Sequence, residues 1–485
     1  MVRGRLSQAG IPRRNDNCLD PAVNSFSSES RVSRGEFPTL VEASHVIKKT
    51  YPITFPERVN PLGHSLSLVL AVGVCCVLGF GPLAFGAVQP WSICVLETSV
   101  SILVAIWAVR EVINGGFHVI PNPLFVPILL FAGIVLIQIT FHLTAYWYAT
   151  WQKGLLWASY AGIFFLVSQV FRRQRRMTGF AYFCTAYGFL LSLFAMIQQF
   201  TSNGKIYWVV PNRHGGWIYG PYVNHAHYAG LMEMLVPFPI VFAISNRGGK
   251  HGRVFFLFVA LVMCSTIFLC ESLGGMIALA AELGVLSLIL LRNRRPAYRE
   301  ILLLGALCVA LAAWLAWLRP LGLLERLARL LNPIADAGVT GRIAIVRDSL
   351  RMLWQRPLLG WGLGTFSTVY PSFRSFFTNL WVNEAHNDFV QTVVETGIAG
   401  FAAGCYFLIL LCRAGIRNLE GWRDDPRSVV ALAAFLGCVG LLVHGLFDFN
   451  LQIPANAAFF FALSALVTGR FTKISPMTSR GEGKG

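Results

Sequence analysis

Charge is what this sequence lacks. Only 13% of its 485 residues are Asp, Glu, Lys or Arg, against 55% hydrophobic. That is too few to cover a soluble protein of this size and points to the polytopic membrane class. Acids are the scarcer sign, 23 against 40 bases, for a net charge of +17. No basic stripe is interleaved with aromatics, which sets nucleic acid aside as a partner. The surplus Lys and Arg lie in loops, where the positive-inside bias puts them. Of eleven cysteines, ten fall in or at the ends of apolar segments, Cys18 lies near the N-terminus, and no CxxC occurs. A disulfide framework and a structural zinc are thereby excluded. The first apolar run begins only near residue 65, too late for a cleavable signal. No G-x-x-x-x-G-K-[ST] phosphate loop occurs. No Asp-x-Asp motif stands in the loops assigned below to the external side, so neither a metal nor another cofactor is expected.

Apolar length is what the chain has instead. A hydrocarbon core takes roughly 20 residues of helix. About twelve such runs occur, near 65–86, 91–110, 123–142, 154–171, 178–200, 226–246, 253–271, 273–291, 301–318, 389–412, 428–448 and 452–469. They predict an all-α polytopic integral membrane protein. Basic clusters follow every second run, at Arg172–Arg176, Arg247–Arg253, Arg292–Arg299, Arg413–Arg427 and Arg470–Lys484. Both termini are therefore expected in the cytoplasm. Residues 1–62, mixed in charge and rich in Ser, Arg and Pro, read as a disordered cytoplasmic tail. Spans 1–9 fall in 63–318, a long external helical loop in 319–388, spans 10–12 in 389–470 and a cytoplasmic tail in 471–485.

Two external loops keep positive charge, 201–225 and 319–388. The first offers Arg213 for a phosphate, with Asn224, His225 and His227 near the start of span 6. Its Tyr207, Trp208, Trp217, Tyr219 and Tyr222 suit either sugar stacking or the bilayer interface. The second opens with LGLLERLARLLNP, an amphipathic helix that fits either the membrane surface or a place on the bundle. The next helix is predicted over Gly341–Gln355, capped by Thr340 and stopped by Pro357. Ile343, Val346, Leu350, Leu353 and Trp354 share one face, with Arg342 at one edge and Arg347 and Arg351 at the other. Arginine's planar fork suits diphosphate, and solvated or salt-bridged arginines fit the same pattern. In LLGWGLGTF, Gly360, Gly362 and Gly364 allow a tight turn or a close backbone approach. His386 follows at a helix start, placed to accept a proton, with Asn387 or Asp388 as the cap. Asn387, Gln391 and Glu395 then form a polar strip that must face protein or water. Within the spans, Glu97, Glu233, Glu271, Glu282, His444 and Asp448 mark either a site or bonds between helices. His444 and Asp448, four apart, are spaced to hydrogen bond.

Three patterns stand in order: G-R-x-x-I-x-x-D-S-x-x-M from Gly341, R-P-L-L-G-W-G-L-G-T-F from Arg356, and A-H-N-D-F-x-Q-x-x-x-E-T-G-I-A-G from Ala385. Together with GPYVNHAHYAGLMEMLVP (220–237) and HGLFDFNLQIPANAAFFFAL (444–463), they resemble the O-antigen ligase and polymerase family. The resemblance covers roughly residues 65–470. It implies a GT-C-like glycosyltransferase of the bacterial inner membrane, with a large periplasmic loop between spans 9 and 10. It implies a donor glycan on undecaprenyl diphosphate, an acceptor glycan or lipid A–core, and metal-independent, inverting transfer. The family's loop histidine corresponds to His386 and its loop-helix arginine to Arg342, both expected to be catalytic. Arg213, Asn387, Arg347, His227 and Asn224 are expected to contact substrate. Two departures stand out. An Asn-x-Asn-His pattern reads Asn224-His225-Ala226-His227 here. A Ser-Arg-Gly-Gly pattern reads Ser272-Leu273-Gly274-Gly275, with one cation fewer. Ligase, polymerase and protein O-glycosylation stay open. The rival class is a carrier or flippase of lipid-linked sugars, against which the halves show no obvious repeat.

Overall fold

The structure, a computed structural model, describes residues 61–211, 218–245, 249–292, 298–318, 337–378, 381–418, 422–423 and 425–469. Both expected tails (1–62 but for its last two residues, and 471–485), the amphipathic helix after residue 319, Arg213 and Trp217 lie outside those residues. The helices are α1 (Pro61–Leu83), α2 (Pro90–Ile113), α3 (Phe125–Thr140), α4 (Trp147–Val170), α5 (Gln174–Phe200), α6 (His225–Leu235), α7 (Pro237–Ile244), α8 (Gly249–Leu269), α9 (Leu273–Arg292), α10 (Tyr298–Leu318), α11 (Ala337–Gln355), α12 (Phe366–Val369), α13 (Asp388–Asn418), α14 (Pro426–His444) and α15 (Pro454–Thr468). A two-stranded hairpin joins Lys205–Ile206 to Val210–Pro211.

Among the described residues, nine helices are long and apolar enough to cross a membrane, with α6 and α7 taken as one. The chain is an all-α, multi-pass membrane protein. The other three expected spans are also helical, but α3 and α15 have 16 and 15 residues. At 1.5 Å per residue they reach only about 24 and 23 Å. Every residue of α15 is buried, so it has protein rather than lipid around it. Span 6 is broken at Pro237, which cannot donate the backbone hydrogen bond a continuous helix needs.

The core forms around α14, which packs on α9, α15, α6 and α7. Lipid tails are as apolar as leucine, so close packing rather than water exclusion holds helices together there. Small residues permit it. A Cβ on Gly437 of α14 would lie 2.6 Å from the Met234 carbonyl oxygen of α6.

The long loop is fixed by a break in α13. Gly397 has φ 67° and ψ −172°, a region essentially closed to side chains. The break strips helical partners from nearby backbone groups, and the Gly-rich turn supplies new ones. Trp361 and Gly362 donate to the carbonyls of Val394 and Glu395 at 3.1 and 2.9 Å. Ile398 and Ala399 donate to those of Pro357 and Leu358 at 2.8 and 3.2 Å. The Glu395 carboxylate accepts from the N–H groups of Gly364 and Phe366. Gln138 of α3 donates to the carbonyls of Leu359 and Glu395 and accepts from the Leu363 N–H. A Cβ on Gly360 would sit 2.5 Å from the Glu395 carbonyl carbon. The glycines therefore serve a close approach to a broken helix.

Helix α11 starts at Ala337, so Thr340 lies inside it rather than capping it. It ends at Gln355, before Pro357, as expected. Its buried residues are Ile345, Asp348, Ser349 and Met352. Most of the apolar face read from the sequence points outward, with Ile343, Leu350 and Trp354 exposed. Asp348 sets this rotation. Its carboxylate accepts from the Ser375 N–H and hydroxyl at 2.9 and 3.0 Å and pairs with Arg351 at 3.1 Å.

Candidate functional site

Helix α14 ends at His444, and the chain turns through 445–449. Three carbonyls of this turn collect the loop helices. Gly445 accepts from the Asp388 N–H at 2.8 Å. Leu446 accepts from the Asn387 amide at 2.9 Å. Phe447 accepts from Arg342 Nη1 at 2.9 Å. The starts of α11 and α13 are thereby pinned to the end of α14.

Asp448 stands in the middle of that turn, 2% exposed. His386 Nδ1 lies 3.6 Å from one carboxylate oxygen, His227 Nε2 lies 4.0 Å from the same oxygen, and Arg342 Nη2 lies 3.9 Å from the other. The Phe449 ring meets the edges or faces of both imidazoles, at 4.7 Å for His227 and 4.9 Å for His386. Burial opposes ionisation of Asp448. The His386 imidazole and the charges of His227 and Arg342 outweigh it and hold the carboxyl well below the usual carboxylate range.

His386 has φ 52°, a left-handed conformation that costs a non-glycine residue about 1–3 kcal/mol and persists only where the surroundings impose it. They do so here. The Ala385 N–H is held by Gln391 Oε1 at 2.9 Å. Asn387 Oδ1 caps α13 by accepting from Phe389 and Val390. Gln391 also donates to the carboxylates of Glu384 and Glu395, so the expected polar strip faces protein.

Of the residues expected from the sequence, the fold brings Arg342, His386 and His227 together. Asn387 spends its amide on the cap and on Leu446. Asn224 caps α6 by accepting from the Ala226 N–H at 2.9 Å, and so places His227 three residues on. Arg347 is on the exposed side of α11, outside the group around Asp448. Tyr219 and Tyr222 are buried and offer no face to a sugar. The Tyr207 hydroxyl bonds the Leu83 carbonyl.

The expected His444–Asp448 bond is replaced by another. His444 Nδ1 lies 3.1 Å from both Glu233 oxygens, in a buried pair between α14 and α6. The helix stops at His444, so the four-residue spacing no longer aligns the two side chains. That stop carries no left-handed glycine cap, since Gly445 keeps right-handed backbone at φ −60° and ψ −11°. It releases Asp448 to the site.

A cavity of about 420 Å³ opens between α3, α4, α13 and α15. Phe131, Trp157, Phe401 and Phe461 line it, and Asp388 and Leu451 stand at its polar end. Asp388 Oδ2 accepts from the Leu451 N–H at 3.0 Å. The cavity thus reaches the segment just beyond the Asp448 turn.

Residues 258–405 match a family model described as O-Antigen ligase. The match runs from α8 into α13 and takes in Arg342 and His386. A search of the curated proteins finds no match.

Proposed function

From the match of residues 258–405 to the O-Antigen ligase model, we propose that the chain transfers a glycan from undecaprenyl diphosphate to an acceptor hydroxyl. The acceptor is lipid A–core, the transfer inverts the anomeric centre, and the site faces the periplasm from the bacterial inner membrane. The observation that carries this reading is the convergence of Arg342, His386 and His227 on one buried carboxylate. The apolar cavity beside it supports a lipid-borne donor, because a prenyl chain needs such a lining.

The acceptor oxygen attacks the anomeric carbon as the bond to the diphosphate oxygen breaks. Asp448, beside Nδ1 of His386, favours the tautomer with hydrogen on that nitrogen. Nε2 is then free to take the hydroxyl proton. Arg342 holds the Phe447 carbonyl with one nitrogen and is 43% exposed. Its remaining donors meet the charge growing on the departing diphosphate. Asp448 orients both groups. Asp448→Asn should lower kcat by roughly 10²-fold, the lower end of what a general base contributes, with KM little changed. Steady-state kinetics check this, and an unchanged kcat removes Asp448 from the mechanism.

The test of the whole reading is reconstitution. The purified chain is mixed with an undecaprenyl-diphosphate glycan and lipid A–core. Glycan joined to lipid A–core is the expected product. A longer lipid-linked glycan keeps the site but makes the enzyme a polymerase. Donor carried across a vesicle membrane, with no product of either kind, overturns the reading in favour of a carrier.

A further inference from the structure

The outward face of α11 carries a second feature that the transfer reaction does not use. Ile343, Leu350 and Trp354 stand at helical spacing on one stripe, and Leu358 follows in the turn. Trp354 is 81% and Leu358 72% exposed. Arg347 and Arg351 share that side. Asp348 is the only acid on α11, and it is fully buried. The stripe is thus apolar and positive at Arg347, while Arg351 pairs with Asp348 at 3.1 Å.

Its depth follows from the backbone. The Pro357 and Leu358 carbonyls accept from Ile398 and Ala399, where α13 enters its long apolar stretch. Ile398 is itself exposed, as are Tyr406 and Ile409 further along. The lower end of α11 therefore lies where α13 passes into lipid, and Arg347 and Arg351 lie toward the site. Tryptophan at such a level belongs to the bilayer interface, and arginine there meets headgroup phosphate by paired hydrogen bonds.

We propose that this face of α11 docks on the leaflet at the site's end of the molecule, with Trp354 and Leu358 in the interface and Arg347 on the phosphate of an anionic lipid. The inference rests on membrane insertion alone and stands whether or not glycan transfer is the activity. Docking holds α11, and Arg342 with it, at a fixed height above the leaflet.

The test uses the full chain and energy transfer from Trp354 to pyrene-labelled phosphatidylglycerol. The Trp354 share is the difference between the natural chain and Trp354→Phe. Near an anionic surface, one arginine should contribute roughly 5-fold in affinity. Arg347→Gln should weaken phosphatidylglycerol binding by that factor and leave pyrene-phosphatidylcholine binding unchanged. The Arg347 side chain is exposed, and a monodisperse elution profile verifies that the fold is intact. Equal binding by the variant overturns the proposal. So does displacement of the lipid by inorganic phosphate at matching concentration, which would mark a free-anion site. A Trp354 that transfers no energy to lipid means that other protein, or a second copy, covers the face, and the proposal falls.

Discussion

Arg342→Ala should lower the rate of glycan transfer by roughly 10²–10³-fold, the usual effect of removing a donor aimed at developing charge. His386→Ala should cost roughly 10²–10⁴-fold. The two effects differ in origin. Loss of His386 leaves the acceptor hydroxyl to find water as its base. Loss of Arg342 leaves a diphosphate departing without a guanidinium that cannot lose its charge. Arg342→Lys should recover only part of the rate, since an ammonium lacks the fork that can hold Phe447 and phosphate together. The double variant should fall little below the worse single one, because the two residues serve one transition state. Single-turnover transfer from the diphosphate-linked donor measures all four. An Arg342→Ala protein that stays folded and within a few-fold of wild type would remove the arginine from the chemistry.

Gly397→Ala should prevent the chain from accumulating as folded protein. The added Cβ would lie 2.2 Å from the Leu358 carbonyl oxygen and 2.5 Å from the Leu359 nitrogen. Both are backbone atoms, which cannot swing aside as a side chain can. The conformation at Gly397 alone costs another residue about 1–3 kcal/mol. Pushing the turn away also unpairs backbone groups of Val394, Glu395, Ile398 and Ala399, at about 1–3 kcal/mol for each left buried. The sum rivals a typical total stability of about 5–15 kcal/mol. Gly404→Ala is the matched control. It lies in the same helix, and a Cβ there meets nothing within 4 Å. Thermal melting followed by size-exclusion chromatography separates the two. A Gly397→Ala protein that melts with Gly404→Ala would show that the break is not a requirement of the fold.

Much of this was legible in the residues because the signals were local. Apolar length gave the helices, Pro357 gave the end of α11, and the cap of α13 was narrowed to Asn387 or Asp388, of which the fold uses Asn387. The resemblance, rather than spacing, singled out Arg342 and His386. What stayed hidden depends on contacts between distant segments. The apolar stripe on α11 looks like a core face by periodicity, yet Asp348, held by Ser375, turns it outward. The glycines of LLGWGLGTF signal a tight turn or a close backbone approach, but not that the partner approached is a helix break more than thirty residues away. Asp448 was visible as an intramembrane acid, but assigning it to His444 assumed one turn of helix too many. Its true neighbours come from three other segments, which no spacing rule joins.

The pairing of α11 with the outer part of α13 has a consequence for how this protein can vary. The two helices run the same way, fastened at one end through the 445–449 turn and at the other through the glycine wedge. They behave as the rails of a ladder with both end rungs in place. The segment between the wedge and His386 carries neither Arg342 nor His386, and its Phe366, Val369, Tyr370 and Ala385 pack against Ile345, Met352 and Val394 of the two rails. Provided that these residues and the Ser375 grip on Asp348 are kept, its exposed positions can change composition while the spacing of Arg342 and His386 stays constant. The distance between Arg342 and His386 is thereby separable in heredity from the composition of the surface that the chain carries between them.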